Sequence, residues 1–153
     1  MDVHQKPEYQ IYTLLRELAK TERIFKQDPI FDEVTFGEFN VLDHVAHTGT
    51  MAQSQLLELL SVEKSTATRL VEPLIEKGLL RKERSSLDAR TVELQITSEG
   101  KKAHTRVWNC IAEFLGEFLS SLTKRESETM IASMSKFITT FALCSESVEK
   151  DEE

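Results

Sequence analysis

The chain has 153 residues, 40% hydrophobic and 29% charged, a balance that fits one core with helical extensions and excludes whole-chain disorder or two enzyme-sized domains. Its formal net charge of −7 argues against a chain that coats nucleic acid along its whole length. The longest apolar run, Phe141–Cys144, is too short to span a bilayer, and Met1-Asp2-Val3-His4-Gln5 lacks the basic-then-apolar pattern of a secretory signal, so a cytoplasmic protein is expected.

In chain order, residues 8–26 carry Ile11, Leu14, Leu15, Leu18 and Phe25 on one face of an expected helix. Pro7 sits where a first-turn proline is tolerated, and Lys26-Gln27-Asp28-Pro29 breaks the pattern. Thr35 and Glu38 have capping-box spacing ahead of a helix to about His47 that presents Phe36, Phe39, Leu42 and Val45. After the turn Thr48-Gly49, Thr50 and Gln53 repeat that spacing before Leu56, Leu57 and Leu60. A further helix is expected from Lys64 to Lys77, with Leu70, Leu74 and Val71 inward and Gly78 in the C′ position. Helix, short turn and hydroxyl-rich helix is the layout of a helix-turn-helix.

Beyond Gly78 the period changes. Leu79–Arg84 and Thr91–Ile96 flank the polar stretch Ser85–Arg90, and Val92, Leu94 and Ile96 alternate with polar residues, so a two-stranded hairpin with an exposed basic tip is expected. Thr97 then caps a long helix carrying Ala103, Val107, Ile111, Phe114, Leu115, Phe118 and Leu122. Thr123 and Glu126 open the last helix, with Met130, Ile131, Met134, Phe137, Ile138 and Phe141. The fold class is therefore mainly α with a small β-hairpin wing. Residues 1–34 form an N-terminal dimerisation helix and linker, 35–100 the winged helix-turn-helix, 101–144 the C-terminal dimerisation helices, and 145–153 an acidic tail expected to be disordered. Amphipathic helices on both sides of the winged module favour a homodimer.

Charge placement sharpens the reading. From Lys64 to Arg106 there are ten basic and six acidic residues, a net +4, whereas the remainder holds nine basic and twenty acidic residues, a net −11. A local basic face on an acidic body attracts polyanions while limiting non-specific adhesion. At the start of the second helix, Ser65, Thr66, Thr68 and Arg69 suit a groove: hydroxyls reach phosphates or base edges, and an arginine bonds a guanine edge bidentately. The alternative is that these hydroxyls merely cap the helix. Lys64, Lys82 and Arg84 are candidate phosphate contacts, and Arg90 at the hairpin tip is placed to enter the narrow minor groove.

The run Ser65-Thr66-Ala67-Thr68-Arg69-Leu70-Val71, then Leu74-Ile75-Glu76-Lys77-Gly78-Leu79-Leu80, Asp88-Ala89-Arg90 and Ile96-Thr97-Ser98-Glu99-Gly100, resembles the MarR family of bacterial transcriptional regulators. The resemblance covers roughly residues 35–102. It implies a winged-helix homodimer on a pseudo-palindromic double-stranded DNA operator, usually as a repressor. It also implies that Asp88 orders the wing and that Arg90 enters the minor groove. The chain departs from the family at three points. Ala89 replaces the first of two frequent arginines, and Lys82 stands where arginine is common. Pro73 lies inside the recognition helix, where it is expected to kink the C-terminal half.

Other chemistry is thinly represented. His44 and His47, three residues apart on a helix, could offer two metal nitrogens, but with only Asp43 nearby they read better as solvated or core-edge histidines, and no metal or other cofactor is expected. Cys110 is the candidate for a thiol-switched regulator, although it and Cys144 read first as small core residues. Nucleophile-elbow, phosphate-loop and H-E-x-x-H motifs are absent, so catalysis is not expected. Phe114, Phe118, Met130 and Met134 offer lining for a small apolar or aromatic effector, or plain dimer core. The rival from another class is a winged-helix interaction module that does not bind DNA.

Overall fold

The computed structural model describes residues 5–20, 27–60 and 62–150, with all their side chains except those of Leu18 and residues 142–150. Phe25, Lys26 and the Cys144 side chain therefore lie outside the described set. The elements are α1 (Pro7–Leu18), α2 (Ile30–Glu33), α3 (Phe36–Thr48), β1 (Thr50–Ala52), α4 (Gln53–Leu60), α5 (Lys64–Glu76), β2 (Leu80–Arg84), β3 (Val92–Ile96), α6 (Ser98–Ser120) and α7 (Lys124–Lys150). The chain divides into two compact units, Met1–Ile111 and Ala112–Glu153.

Local rules set most boundaries in the first unit. Pro7 opens α1, where a missing N–H costs no helical hydrogen bond. Thr35 and Glu38 form the expected capping box: the Thr35 N–H donates to Glu38 Oε2 at 2.9 Å and the Glu38 N–H to Thr35 Oγ1 at 3.2 Å. Thr35→Ala is expected to cost about 1 kcal/mol, because only the hydroxyl half of this exchange is lost. An unchanged urea midpoint in that variant would show that water satisfies the Glu38 amide equally well. At the end of α5, Gly78 sits at φ 70°, its N–H reaches Ile75 O at 2.9 Å, and the Leu79 N–H reaches Leu74 O at 2.8 Å. That pair of bonds is a Schellman motif, which a glycine at C′ permits without strain.

Two expectations are corrected. Thr50 does not cap a helix. Thr50–Ala52 is a strand that pairs antiparallel with β3 in the register Thr50↔Gln95 and Ala52↔Glu93, so the hairpin becomes a three-stranded sheet of order β1-β3-β2. The second edge of β3 would otherwise present unpaired N–H and C=O groups, and β1 satisfies them. The acidic tail keeps helical backbone to Lys150, since residues 145–150 contain no glycine or proline to stop α7; residues 151–153 lie outside the described set.

The core of the first unit joins Val41, Leu42 and Val45 of α3, Leu56 of α4, Val71 and Leu74 of α5, Leu80 and Leu94 of the sheet, and Val107 of α6, all fully or almost fully buried. Ala67 and Val71 complete the inward face of α5 while Leu70 is only partly buried, so the buried stripe is rotated slightly from the expected one. In the first half of α6, Ala103, Val107 and Ile111 fall at four-residue intervals and all are buried in this core. Each fully buried Val or Leu side chain of this core contributes roughly 1.5–3 kcal/mol.

The second unit behaves differently. Ile131, Met134, Phe137, Ile138 and Phe141 of α7 are all exposed, as are Phe114, Leu115, Phe118 and Leu119 of α6. Thr123 and Glu126 begin α7 with reciprocal bonds, the Thr123 N–H and hydroxyl each meeting Glu126 Oε2 at 2.7 Å. These two donors hold the Glu126 carboxyl below the ordinary carboxylate range. Among the described residues no helix is long and apolar enough to cross a membrane.

Candidate nucleic-acid interface

The N-terminal half of α5 is the first part of the site. Its N-cap is Glu63, which makes no side-chain capping bond, so Ser65 and Thr66 lie inside the first turn and do not cap it. Ala67, Val71 and Leu74 anchor the inner face, which leaves Lys64, Ser65 and Arg69 exposed and Thr66 and Thr68 half-buried. The Thr68 hydroxyl donates to the Lys64 carbonyl at 2.8 Å, so its proton is committed and its oxygen remains an acceptor. Pro73 lies inside the helix, which runs through it to Glu76.

The wing is the second part. β2 and β3 pair from Leu80↔Ile96 to Arg84↔Val92, and the Ser85 N–H donates to Thr91 O at 2.9 Å beyond the last pair. Asp88 organises the tip: Oδ1 accepts from the Arg90 N–H at 2.9 Å, Oδ2 from the Thr91 hydroxyl at 3.0 Å, and its carbonyl from the Thr91 N–H at 2.9 Å. This is an Asx turn, in which a short carboxylate replaces a backbone acceptor. It directs the chain at Arg90 without using the arginine side chain.

The five cations expected at the site fall into two groups. Lys64, Arg69 and Arg90 have no side-chain hydrogen bond or ion pair among the described residues. Arg84 spends one donor on Ala89 O at 3.3 Å, which braces the wing and leaves its other N–H groups available. Lys82 differs: its ammonium is paired with Glu72 of α5. Strand alternation places Lys82 on the same face as the buried Leu80, toward α5, whereas Arg81 on the other face meets Gln95 and Glu83.

The two parts meet at a cleft of about 310 Å³ lined by Lys64 of α5, Arg90, Thr91 and Val92 of the wing, and Gln53, Ser54 and Leu57 of α4. Sequence reasoning missed Gln53 and Ser54, because it used Gln53 for a capping box. The helix-turn-helix layout was the available signal, since it brings the start of α4 beside the recognition helix. A buried carboxylate holds the other end of α5. Glu38, 6% exposed, accepts from the Lys77 ammonium at 2.7 Å and joins the start of α3 to the end of α5.

The discounted candidates lie elsewhere. His47 Nδ1 is 2.9 Å from the Asp43 carbonyl, His44 is half-buried, and among the described residues no group of three or more His, Cys, Asp or Glu is placed to hold a metal. His104, which the sequence left without a role, bonds Asp43 Oδ1 at 2.7 Å and stacks on Phe39, joining α6 to α3. Cys110 meets the Asp28 carboxylate, with Sγ 3.3 Å from Oδ2.

Residues 33–91 match the MarR family model. The chain is 26% identical over 136 residues to the HTH-type transcriptional regulator YpoP of Bacillus subtilis, an alignment that covers 89% of this chain and 96% of that protein. Its fold is shared by a cysteine-to-serine mutant of MarR from E. coli solved in complex with operator DNA, at a TM-score of 0.73 and 19% identity over 90% of this chain and 99% of that one. The PcaV regulator of Streptomyces coelicolor in complex with its natural ligand shares it too, at 0.72 and 24% over 91% and 96%. The family match falls on the helix-turn-helix and the wing tip that carry the exposed hydroxyls and cations, and over that segment the chain is similar to the MarR family.

Proposed function

We propose that the chain binds a pseudo-palindromic DNA operator as a homodimer and acts in the cytoplasm as a repressor whose occupancy a small apolar or aromatic ligand modulates. The observation that carries this reading is the cleft where Lys64 of the recognition helix and Arg90 of the wing converge, both without an ionic partner among the described residues. The N-terminal half of α5 enters the major groove, with Ser65 and Thr66 on phosphates or base edges, Thr68 accepting from a base edge and Arg69 on a guanine. Asp88 holds the wing so that Arg90 reaches the adjacent minor groove, with Arg84 behind it on the backbone. Homodimerisation is supported by the large exposed apolar side chains of α1 (Ile11, Tyr12, Leu14, Leu15) and of the second unit. Two copies related by a twofold axis then present two recognition helices to successive major grooves. The ligand-bound PcaV structure supports effector control, for which Phe114, Phe118, Met130 and Met134 are the candidate lining.

Selection of bound sequences from random duplexes tests this. The expected product is an inverted repeat with half-site centres roughly one helical turn, about 10 base pairs, apart. Its affinity should fall linearly with salt on a double-logarithmic plot through counterion release. A monomer in solution, or a pool that gains no sequence over repeated rounds, would favour the interaction-module reading.

A further inference from the structure

We infer that Glu72 withholds Lys82 from DNA, so that an acid on the recognition helix sets how strongly the winged face grips phosphate. The inference rests on the DNA-binding reading above. Glu72 lies four residues after Thr68 and three after Arg69, on the stripe of α5 that those side chains share. A bare carboxylate there would face the same phosphates that Lys64 and Arg69 attract. Lys82 reaches across from β2 and pairs with it, with the two side chains only 34% and 44% exposed. To contact a phosphate, Lys82 would have to leave Glu72 unpaired beside a polyanion. The pair therefore remains closed on DNA and adds nothing to the count of phosphates neutralised. The closed pair also ties the wing strand to the recognition helix, which fixes the separation between the two reading elements.

This arrangement lowers the charge of the face. Of the five cations expected to grip DNA, one is cancelled locally by an acid on the recognition helix. Sequence-independent attraction is thereby lowered, while contacts that read sequence from the N-terminal half of α5 are untouched.

Fluorescence-anisotropy titrations over a salt series, with the selected duplex and a scrambled one, test the inference. Glu72→Gln frees Lys82 and is expected to tighten binding to both duplexes by roughly tenfold at low salt. It should also steepen the salt slope by about 0.9 per protomer. The double variant Glu72→Gln/Lys82→Gln replaces one neutral pair with another and is expected to return to the wild-type slope. If Lys82 is instead a phosphate contact, the double variant will have a shallower slope than wild type and Glu72→Gln alone will not change it. Weaker binding by Glu72→Gln with a lost preference at one base pair would make Glu72 a base reader and overturn the proposal. A measurement without DNA accompanies these: the rate at which a limiting acetylating reagent modifies Lys82 in the free protein, relative to Lys64, read by mass spectrometry. Glu72→Gln should raise that ratio several-fold. A wild-type protein that binds no duplex would defeat the DNA-binding reading, and an unchanged acetylation ratio would defeat the pair whether or not DNA binds.

Discussion

Gly100→Ala is expected to destabilise the winged domain by about 3 kcal/mol or more, a large share of what a domain of this size can spare. Gly100 is buried in the first turn of α6, and a Cβ built there would lie 2.1 Å from the Leu79 carbonyl oxygen and 2.9 Å from Ile96 Cγ1. The obstacle is backbone, and that backbone is held in place. The Thr97 hydroxyl donates to Gly78 O at 2.7 Å, the Thr97 N–H to Leu79 O at 3.1 Å, and the Gly100 N–H returns to Thr97 Oγ1 at 3.0 Å. Relief would require α6 to retreat from the sheet, which would break this stitch and open the packing of Ala103 and Val107 behind it. Gly37→Ala provides the contrast, because a Cβ there meets only a methyl of Leu70 at 3.0 Å, the movable end of a side chain. Ala is also the better helix former, so that variant should lie near wild type. For Gly100→Ala, the thermal midpoint should drop on the order of 6–12 °C. An unchanged midpoint would mean that the helix start is looser than these distances imply.

The sequence was most legible where both partners of an interaction lie within a few residues. The Thr35–Glu38 box and the Gly78 stop are contacts over short separations that follow from residue type and spacing, and the Asp88 turn, equally local, was implied by the family resemblance. The four-residue spacing of Ala103, Val107 and Ile111 likewise gave the inner face of α6. Legibility failed where a distant partner decided the outcome. Thr50 has the chemistry of a helix cap, but β3 needed a strand on its open edge, and three residues are too few to show an alternating pattern. Lys82 has the chemistry of a phosphate contact, but the pleat of β2 turned it toward Glu72. At Gly100 the family motif marked the residue, whereas the reason for it, the approach of the Leu79 carbonyl, is tertiary. Residue type and spacing named the candidate residues, whereas the pairing of their charges depends on tertiary neighbours.

Arg90→Ala is expected to weaken operator binding by roughly one to two orders of magnitude while leaving the fold intact. The two halves of that statement come from different atoms of one residue. The backbone N–H of Arg90 closes the Asp88 turn, and alanine retains it. The guanidinium makes no hydrogen bond or ion pair among the described residues, so its removal leaves none of them unsatisfied. What is lost is a cation at the wing tip, where a narrow minor groove concentrates negative potential. With one such contact per protomer, the salt slope of a dimer should become shallower by about 1.8. Asp88→Ala should also weaken binding, but by releasing the turn, so it should leave Arg90 present and misplaced. Arg90→Lys separates charge from shape: it restores the slope, and it restores affinity only in part, because an ammonium lacks the planar fork and carries a tighter hydration shell. If Arg90→Ala retains both the affinity and the slope of the wild-type protein, the wing tip has no part in holding DNA, and the grip must come from Lys64, Arg69 and Arg84.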